Sequence, residues 1–437
     1  MPIDVPFITL PDPLLSGEGA LDPLGLSSVG DKLADQILPG LRARMSRVRF
    51  VTAMAVGAAV CDGLEEQVAA DRVTPASIVF EWFLVDGFAR AESRDLVRRT
   101  PGIDKARSAR QAGLHLSART YLKTPSVFGF HGVYKSLARH LGIVDEDLRL
   151  GENGHVLLDT WEREQGVSGF IERATGLQNG NDLRATLRAA VDDAMRDGYA
   201  ARSPGWQGWA FFLEHLLPSS IGAKEAALLD RLLKDPKGGT RGEVFTLVGN
   251  GGQEDLPESS IVANIAPRAS EELRARLARI QAYERFCSHV ETSFEWLRWL
   301  SSSSGATAVG PAHFAAVEDV QRLAAGLGGA KAAVERTLPA SPVAVQTEFD
   351  ELADYFQDCS TPEQLFHCLM CRHADVQKQK PPDGKREWFE HGTDDKVMIR
   401  IPYRVAEQPQ PSPAWPRPYR LNTVRQFSSD LRRSLHG

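Results

Sequence analysis

The sequence predicts a mainly α-helical protein: a multi-helix body, then a small C-terminal β-hairpin region and a terminal helix. Three observations carry that expectation. Apolar residues recur at spacings of three and four, most clearly in Leu273, Leu277, Ile280, Tyr283, Phe286 and Val290, which places them on one face of a helix. Short strand-like runs are confined to the stretch after Lys378. Clusters of Pro, Gly, Asn and Ser divide the rest into segments of helical length. At 437 residues, with 42% apolar and 25% charged side chains, the chain has an ordinary globular composition, and at roughly 150 residues per domain it holds two to three domains.

Residues 1–30 are rich in Pro, Gly and Leu without helical period and read as an extended N-terminal arm, packed through Ile8, Leu10, Leu14 and Leu15. An N-terminal helical domain is expected over 31–250. Its first helix carries Leu33, Ile37 and Leu38 and stops at Pro39-Gly40. The apolar run Val51–Cys61, interrupted only by Thr52 and Gly57, is a buried core helix, far short of the ~20 residues a membrane span needs. Pro75 opens a dense apolar segment to Val85, as proline does in a first helical turn. Val127–Leu141 reads as a helix ended by Gly142. Leu183–Tyr199, Trp206–Leu217 and Lys224–Lys234 follow, set apart by Asn179-Gly180-Asn181, Ser203-Pro204-Gly205 and Pro218-Ser219-Ser220.

A second helical domain is expected over 251–377, entered by the polar loop from Gly249 to Gly252. Its long helix has Ser270 as N-cap, Glu271 and Glu272 in the first turn, and an end at the serines after Leu300. Ala312–Leu338, with a break expected at Gly326 or Gly328-Gly329, and Val343–Phe356 complete that domain, and Thr361-Pro362-Glu363-Gln364 starts a further helix. The remainder, 378–437, reads as a basic C-terminal hairpin and tail: strands at Trp388-Phe389 and Val397–Ile401, a loop at His391–Asp395, a Pro-rich stretch from Gln408 to Pro418, and a helix over Thr423–Leu435.

The chain carries 51 Lys plus Arg against 57 Asp plus Glu, a formal charge of −6, so its overall field points to neither a nucleic acid nor a membrane. The charge is segregated, however. From Arg372 onward 13 basic side chains stand against 8 acidic ones, leaving 38 against 49 ahead of that position. Arg372, Lys378, Lys380, Lys385, Arg386, Arg417, Arg420 and Arg425 are therefore the expected nucleic-acid-binding residues, with Trp388, Trp415 and Tyr419 placed to stack on bases. A solvated face or a dock for an acidic partner accounts for the same charges.

Cys359, Cys368, Cys371 and His373 form a candidate structural zinc site, since a Cys-x-x-Cys pair can grip one tetrahedral ion. Against it, the second paired ligand set of a zinc module is missing, and the same cysteines can pack as small apolar side chains. Five cysteines without a secretory leader suit a reducing, cytoplasmic setting. Asp383 and Lys385, with Asp350, Glu351, Asp354 and Asp358 upstream, sketch a metal-dependent nuclease, but the prolines and glycine around them place the unit in a turn rather than on a strand. Trp206, Trp209, Phe211 and Phe212 are an aromatic knot expected to be core packing. Phosphate-loop, nucleophile-elbow and metalloprotease motifs are absent from the sequence, which leaves no expected catalytic residue and no cofactor beyond that zinc.

Two stretches carry a resemblance. Leu21-Asp22-Pro23-Leu24-Gly25-Leu26 is followed by Asp31-Lys32-Leu33-Ala34-Asp35-Gln36-Ile37-Leu38-Pro39-Gly40, and Asp235-Pro236 is followed by Thr240-Arg241-Gly242-Glu243-Val244-Phe245. In order and content the chain resembles uncharacterised, mostly helical proteins of bacterial anti-phage defence islands, over about its first 300 residues. The resemblance transfers no functional residue. It implies a non-catalytic accessory or sensing subunit of a multi-protein defence or DNA-processing complex, partnered by a helicase, nuclease or ATPase. The basic region from Arg372 onward lies outside the resemblance and is expected, from its charge, to contact a DNA backbone or an acidic partner. A metal-dependent nuclease or zinc-containing enzyme, and a purely structural scaffold, are the alternatives.

Overall fold

The computed structural model describes residues 22–171, 179–249, 256–303, 308–357, 359–381, 383–410 and 415–436. The arm up to residue 21, most of the loop at 249–252, Asp358, Pro382 and residues 411–414 of the Pro-rich stretch lie outside them. The described residues are mainly helical, with 18 α-helices and two antiparallel two-stranded sheets. Among them no helix is long and apolar enough to cross a membrane.

The chain divides into two compact units, each built from segments distant in sequence: Ala34–Leu273 with Pro418–Gly437, and Met1–Leu33 with Arg274–Arg417. The expected boundaries at 250 and 377 therefore shift. Composition reads along the chain, whereas long-range packing closes each unit. In the first unit the terminal helix Leu421–His436 packs on Ala223–Leu233 and Thr240–Gly249. It is tied there by Arg47 to Asp430 at 2.8 Å, and Glu258 accepts the Asn422 N–H at 3.0 Å.

The core helix Phe50–Val60 is buried at every residue. Beside it lie Ala76–Ala89, which starts after Pro75, and Phe130–His140. Phe50 meets Phe88, Phe130 and Tyr134 with ring centroids 5.4–5.8 Å apart. The aromatic knot is packing: Trp206 and Trp209 stand edge to face at 4.8 Å, and Phe83 lies against both. Arg49 and Glu225, 1% and 0% exposed, form a buried ion pair. Burial raises the Glu225 carboxyl and lowers the Arg49 guanidinium from their ordinary pKa values, each opposed by the other's charge.

The helix expected over Val127–Leu141 is two, Pro125–Phe128 and Phe130–His140. The cause is distant in sequence. The buried carboxylate of Glu81 accepts the backbone N–H groups of Phe130 and His131 at 2.9 and 2.8 Å, so a new helix starts at Phe130. Helices Ile103–Gln111, Glu152–Glu164, Thr240–Gly249 and Glu258–Ile265 lie outside the expected set. So does the two-residue pairing of Leu116–Ser117 with Tyr199–Ala200.

At the start of the long helix, Glu271–Ser303, Ser270 Oγ accepts the Leu273 N–H at 3.2 Å. In the second unit the break expected at a glycine falls instead between Pro311–Ala315 and Glu318–Thr337. A helix interior tolerates glycine at about 1 kcal/mol, and at Gly326 a Cβ would sit 2.6 Å from His289 Nε2. Thr361 and Gln364 form a reciprocal capping box at the start of Pro362–Gln379. The hairpin pairs Phe389–His391 with Val397–Ile399, with Phe389 opposite Ile399, and its turn holds Asp394 and Asp395 in the left-handed region.

Candidate functional site

The basic residues of the C-terminal region do not form a free cationic face. Arg417 is turned inward, its guanidinium in bidentate contact with Glu284 at 2.6 and 3.0 Å and with Glu291 at 2.6 and 3.1 Å. Arg420, 2% exposed, is paired with Asp35. Arg372 donates from Nε to the Leu24 carbonyl at 2.8 Å, and Lys380 to the Asp22 carbonyl at 2.8 Å. Arg425 is half-buried beside the Leu256 carbonyl. Lys378 is exposed and lies 3.4 Å from Asp375, Arg386 is exposed, and Lys385 is partly so. Trp388 and Tyr419 are 7% and 1% exposed, so neither offers a ring face for a base. Arg372, Lys380, Arg417, Arg420 and Arg425, with Trp388 and Tyr419, thus serve internal contacts, while Lys378, Lys385 and Arg386 of the expected interface stay at least partly exposed.

The cysteine cluster does not converge either. Cys359 and Cys368 are joined in a disulfide, against the expectation of reduced packing cysteines, while Cys371 is free and exposed. His373 has both ring nitrogens occupied. Nδ1–H donates to the Pro23 carbonyl at 3.0 Å and Nε2 accepts the Trp388 N–H at 2.9 Å. That pair of bonds requires the neutral ring, and burial lowers the His373 pKa to about 4. Asp383 and Lys385 sit in the turn closing the helix Pro362–Gln379, where the Lys385 N–H reaches the Gln377 carbonyl at 2.8 Å. Among the described residues no group of three or more His, Cys, Asp or Glu side chains is placed to hold a metal.

A different cationic site lies within Ala34–Leu273 of the first unit. A cavity of about 590 Å³ is lined by the guanidinium-bearing residues Arg44, Arg94, Arg98, Arg99 and Arg107. Its acids are Asp95 and Asp104, and the ion pair that Arg107 makes with Asp104 is long at 3.8 Å. Arg44, Arg94, Arg98 and Arg99 are exposed.

Local structure explains why these cations project. Ser93 Oγ accepts the Asp95 N–H at 3.3 Å and opens a short 3₁₀ turn, Arg94–Val97. Buried Val97 and Ile103 pin the segment at both ends, so Arg98 and Arg99 between them face outward. Arg99 is held at φ +64°, a left-handed conformation that costs a non-glycine residue roughly 1–2 kcal/mol. Its carbonyl is fixed by Ser46 Oγ at 3.0 Å, and the Ser46 and Arg47 N–H groups donate to the Tyr134 hydroxyl at 2.9 and 3.1 Å. Gly102, at φ +81°, is obligatory because a Cβ there would lie 1.9 Å from Tyr121 Oη.

One buried carboxylate ties the walls together. Glu81, fully buried, accepts the Tyr121 hydroxyl at 2.7 Å as well as the Phe130 and His131 N–H groups. It thereby fixes both the Gly102 turn and the break that leaves Phe128 at the cavity edge. Phe128 is 45% exposed, and the Arg44 guanidinium lies 4.4 Å from its ring centroid, a cation–π distance. Thr100 also lines the cavity. It is 3% exposed and its hydroxyl has no hydrogen-bond partner among the described residues, although buried polar groups are ordinarily satisfied.

A surplus of guanidinium groups around one concavity concentrates positive potential, and planar forks with free N–H donors match phosphate oxygens. The signal is present in the sequence. The stretch from Arg90 to Arg139 holds 11 Lys plus Arg against 3 Asp plus Glu, a density hidden inside the acidic average of the chain ahead of Arg372. Compared with known families, characterised proteins and solved structures, the chain matches no family model, no characterised protein and no solved structure.

Proposed function

We propose that this protein is a non-catalytic, nucleic-acid-binding subunit of a bacterial anti-phage defence or DNA-processing assembly. In it the helical body provides partner surfaces, and the arginine cavity, rather than the C-terminal tail, receives the phosphates. The observation that carries the binding reading is the cavity: five arginines around about 590 Å³, against two aspartates. Cationic side chains without close ion pairs among the described residues are available to displace counterions from a phosphate backbone. The assembly reading rests on the resemblance of the N-terminal part of the chain to defence-island proteins.

Binding of labelled DNA at about 50 and about 200 mM salt tests the reading, because neutralised phosphates make affinity fall steeply with salt. The doubly reversed variant R98E/R99E is expected to weaken binding about 100-fold and to flatten the salt dependence. Unchanged binding by that variant contradicts the site. Co-purification from the native host with a helicase, nuclease or ATPase supports the subunit reading, and recovery of the protein alone counts against it.

A further inference from the structure

We infer that the arginine cavity takes a nucleotide with an unpaired base and a terminal phosphate, the chemistry of the phosphorylated end of a single strand. This rests on the nucleic-acid reading above and names the form of the ligand.

Four features of the cavity lead there. The first is charge at one point. Five arginines exceed two aspartates by three charges, whereas an internal phosphodiester brings only one negative charge and a phosphate monoester about −1.5 to −2. The second is shape. A concavity of about 590 Å³ lies in the roughly 300–1,000 Å³ range of small-ligand sites; a strand end can enter it, whereas a continuous duplex presents its phosphates on a convex surface.

The third feature is the Thr100 hydroxyl, a donor at a 3% exposed residue of the cavity lining with nothing to bond among the described residues. The hydroxyl oxygen is itself enclosed, so a phosphate oxygen brought by the surrounding arginines becomes its acceptor once the Thr100 side chain turns toward the cavity. The fourth is the plate formed by Phe128 and Arg44, ring and guanidinium 4.4 Å apart at the same cavity. Unpaired bases stack on such aromatic and guanidinium surfaces, and the faces of paired bases inside a duplex are already covered. Arg99, held at φ +64° by the Ser46 hydroxyl, is consistent with strain retained at a binding site.

The test is fluorescence anisotropy of the full chain with one short oligonucleotide in four forms: a 5′-phosphorylated single strand, a 3′-phosphorylated single strand, the unphosphorylated strand, and its duplex. AMP serves as competitor. One of the end-phosphorylated strands is expected to bind at least about tenfold tighter than the unphosphorylated strand, as two added charge-assisted hydrogen bonds allow. F128A is expected to weaken single-strand binding about tenfold. T100V, close in shape to the parent, and R98K, which keeps the charge but loses the fork, are expected to erase most of the end preference. Thermal unfolding matched to the parent protein shows that each variant folds.

Equal binding of all four forms, with R98E/R99E weakening every one, overturns the inference and leaves the nucleic-acid reading standing. AMP binding as tightly as the phosphorylated strand upholds the nucleotide chemistry and overturns the polymer reading. Failure to bind AMP and every oligonucleotide overturns both.

Discussion

The C-terminal region and the cavity-lining stretch from Arg94 to Arg107 are both rich in cations, yet most of those cations are used in opposite ways. Arg417 is clamped by Glu284 and Glu291, and Arg420 by Asp35, while Arg372 and Lys380 reach backbone carbonyls. Around the cavity, Arg94, Arg98 and Arg99 are exposed and line the same concavity. The number of charges in a segment is therefore a poor guide to a binding surface. What matters is whether the fold supplies each cation with an internal partner, because a desolvated pair is structural and a solvated fork is available to a ligand.

The largest expected effect breaks the comparison at its structural end. R417A leaves Glu284, 2% exposed, without its cation, and stranding one member of a buried pair costs about 3–5 kcal/mol. Chemical denaturation is expected to show that loss, whereas R98A at the cavity stays within about 0.5 kcal/mol of the parent, as exposed substitutions do. Equal effects of the two variants would erase the distinction between the regions.

Next in size is a pH dependence confined to the inward-facing set. The His373 pKa is lowered by burial from 6.5 to about 4 in the folded protein, so the unfolded chain binds the proton more readily between those values. Stability is thus full above about pH 6.5 and falls as pH drops toward 4, by up to about 3 kcal/mol at roughly 1.36 kcal/mol per pH unit. H373N, compared with the parent by thermal unfolding across that window, is expected to be less stable at pH 7 and to lose part of the acid sensitivity. An unchanged slope would place the titration elsewhere.

Much of the architecture is legible in the sequence, and the boundary of that legibility has physical causes. The Thr361–Gln364 capping box, the Ser270 cap and the Val397–Ile399 strand are set by residues a few positions apart, so local pattern reveals them. The helix break at Gly129 depends on Glu81, and the closure of the first unit by Leu421–His436 joins segments far apart along the chain; neither leaves a local trace. The candidate site is misplaced by the sequence for a related reason. Thirteen basic side chains from Arg372 onward stand out against an acidic body, but sequence does not show that Glu284 and Glu291 claim Arg417 or that Asp35 claims Arg420. The richer cluster between Arg90 and Arg139 is averaged away.

A smaller effect sharpens the contrast from the other side. Lys378 and Arg386 are the most exposed of the expected tail cations, and K378A/R386A is expected to change stability by less than about 0.5 kcal/mol and DNA affinity by less than about threefold, read by the same denaturation and anisotropy measurements. A tenfold loss of affinity would return the tail to the binding surface.

The most direct measurement sets the two regions against each other in one titration series. DNA affinity is followed against salt for the parent protein, for R94A/R98A/R99A at the cavity, and for K378A/K380A/K385A/R386A in the tail. The cavity variant is expected to lose affinity at low salt and to reduce the slope of log affinity against log salt by about one for each phosphate contact removed, while the tail variant follows the parent. The reverse pattern, with the tail variant flattened and the cavity variant unchanged, would contradict the assignment of phosphate binding to the arginine cavity.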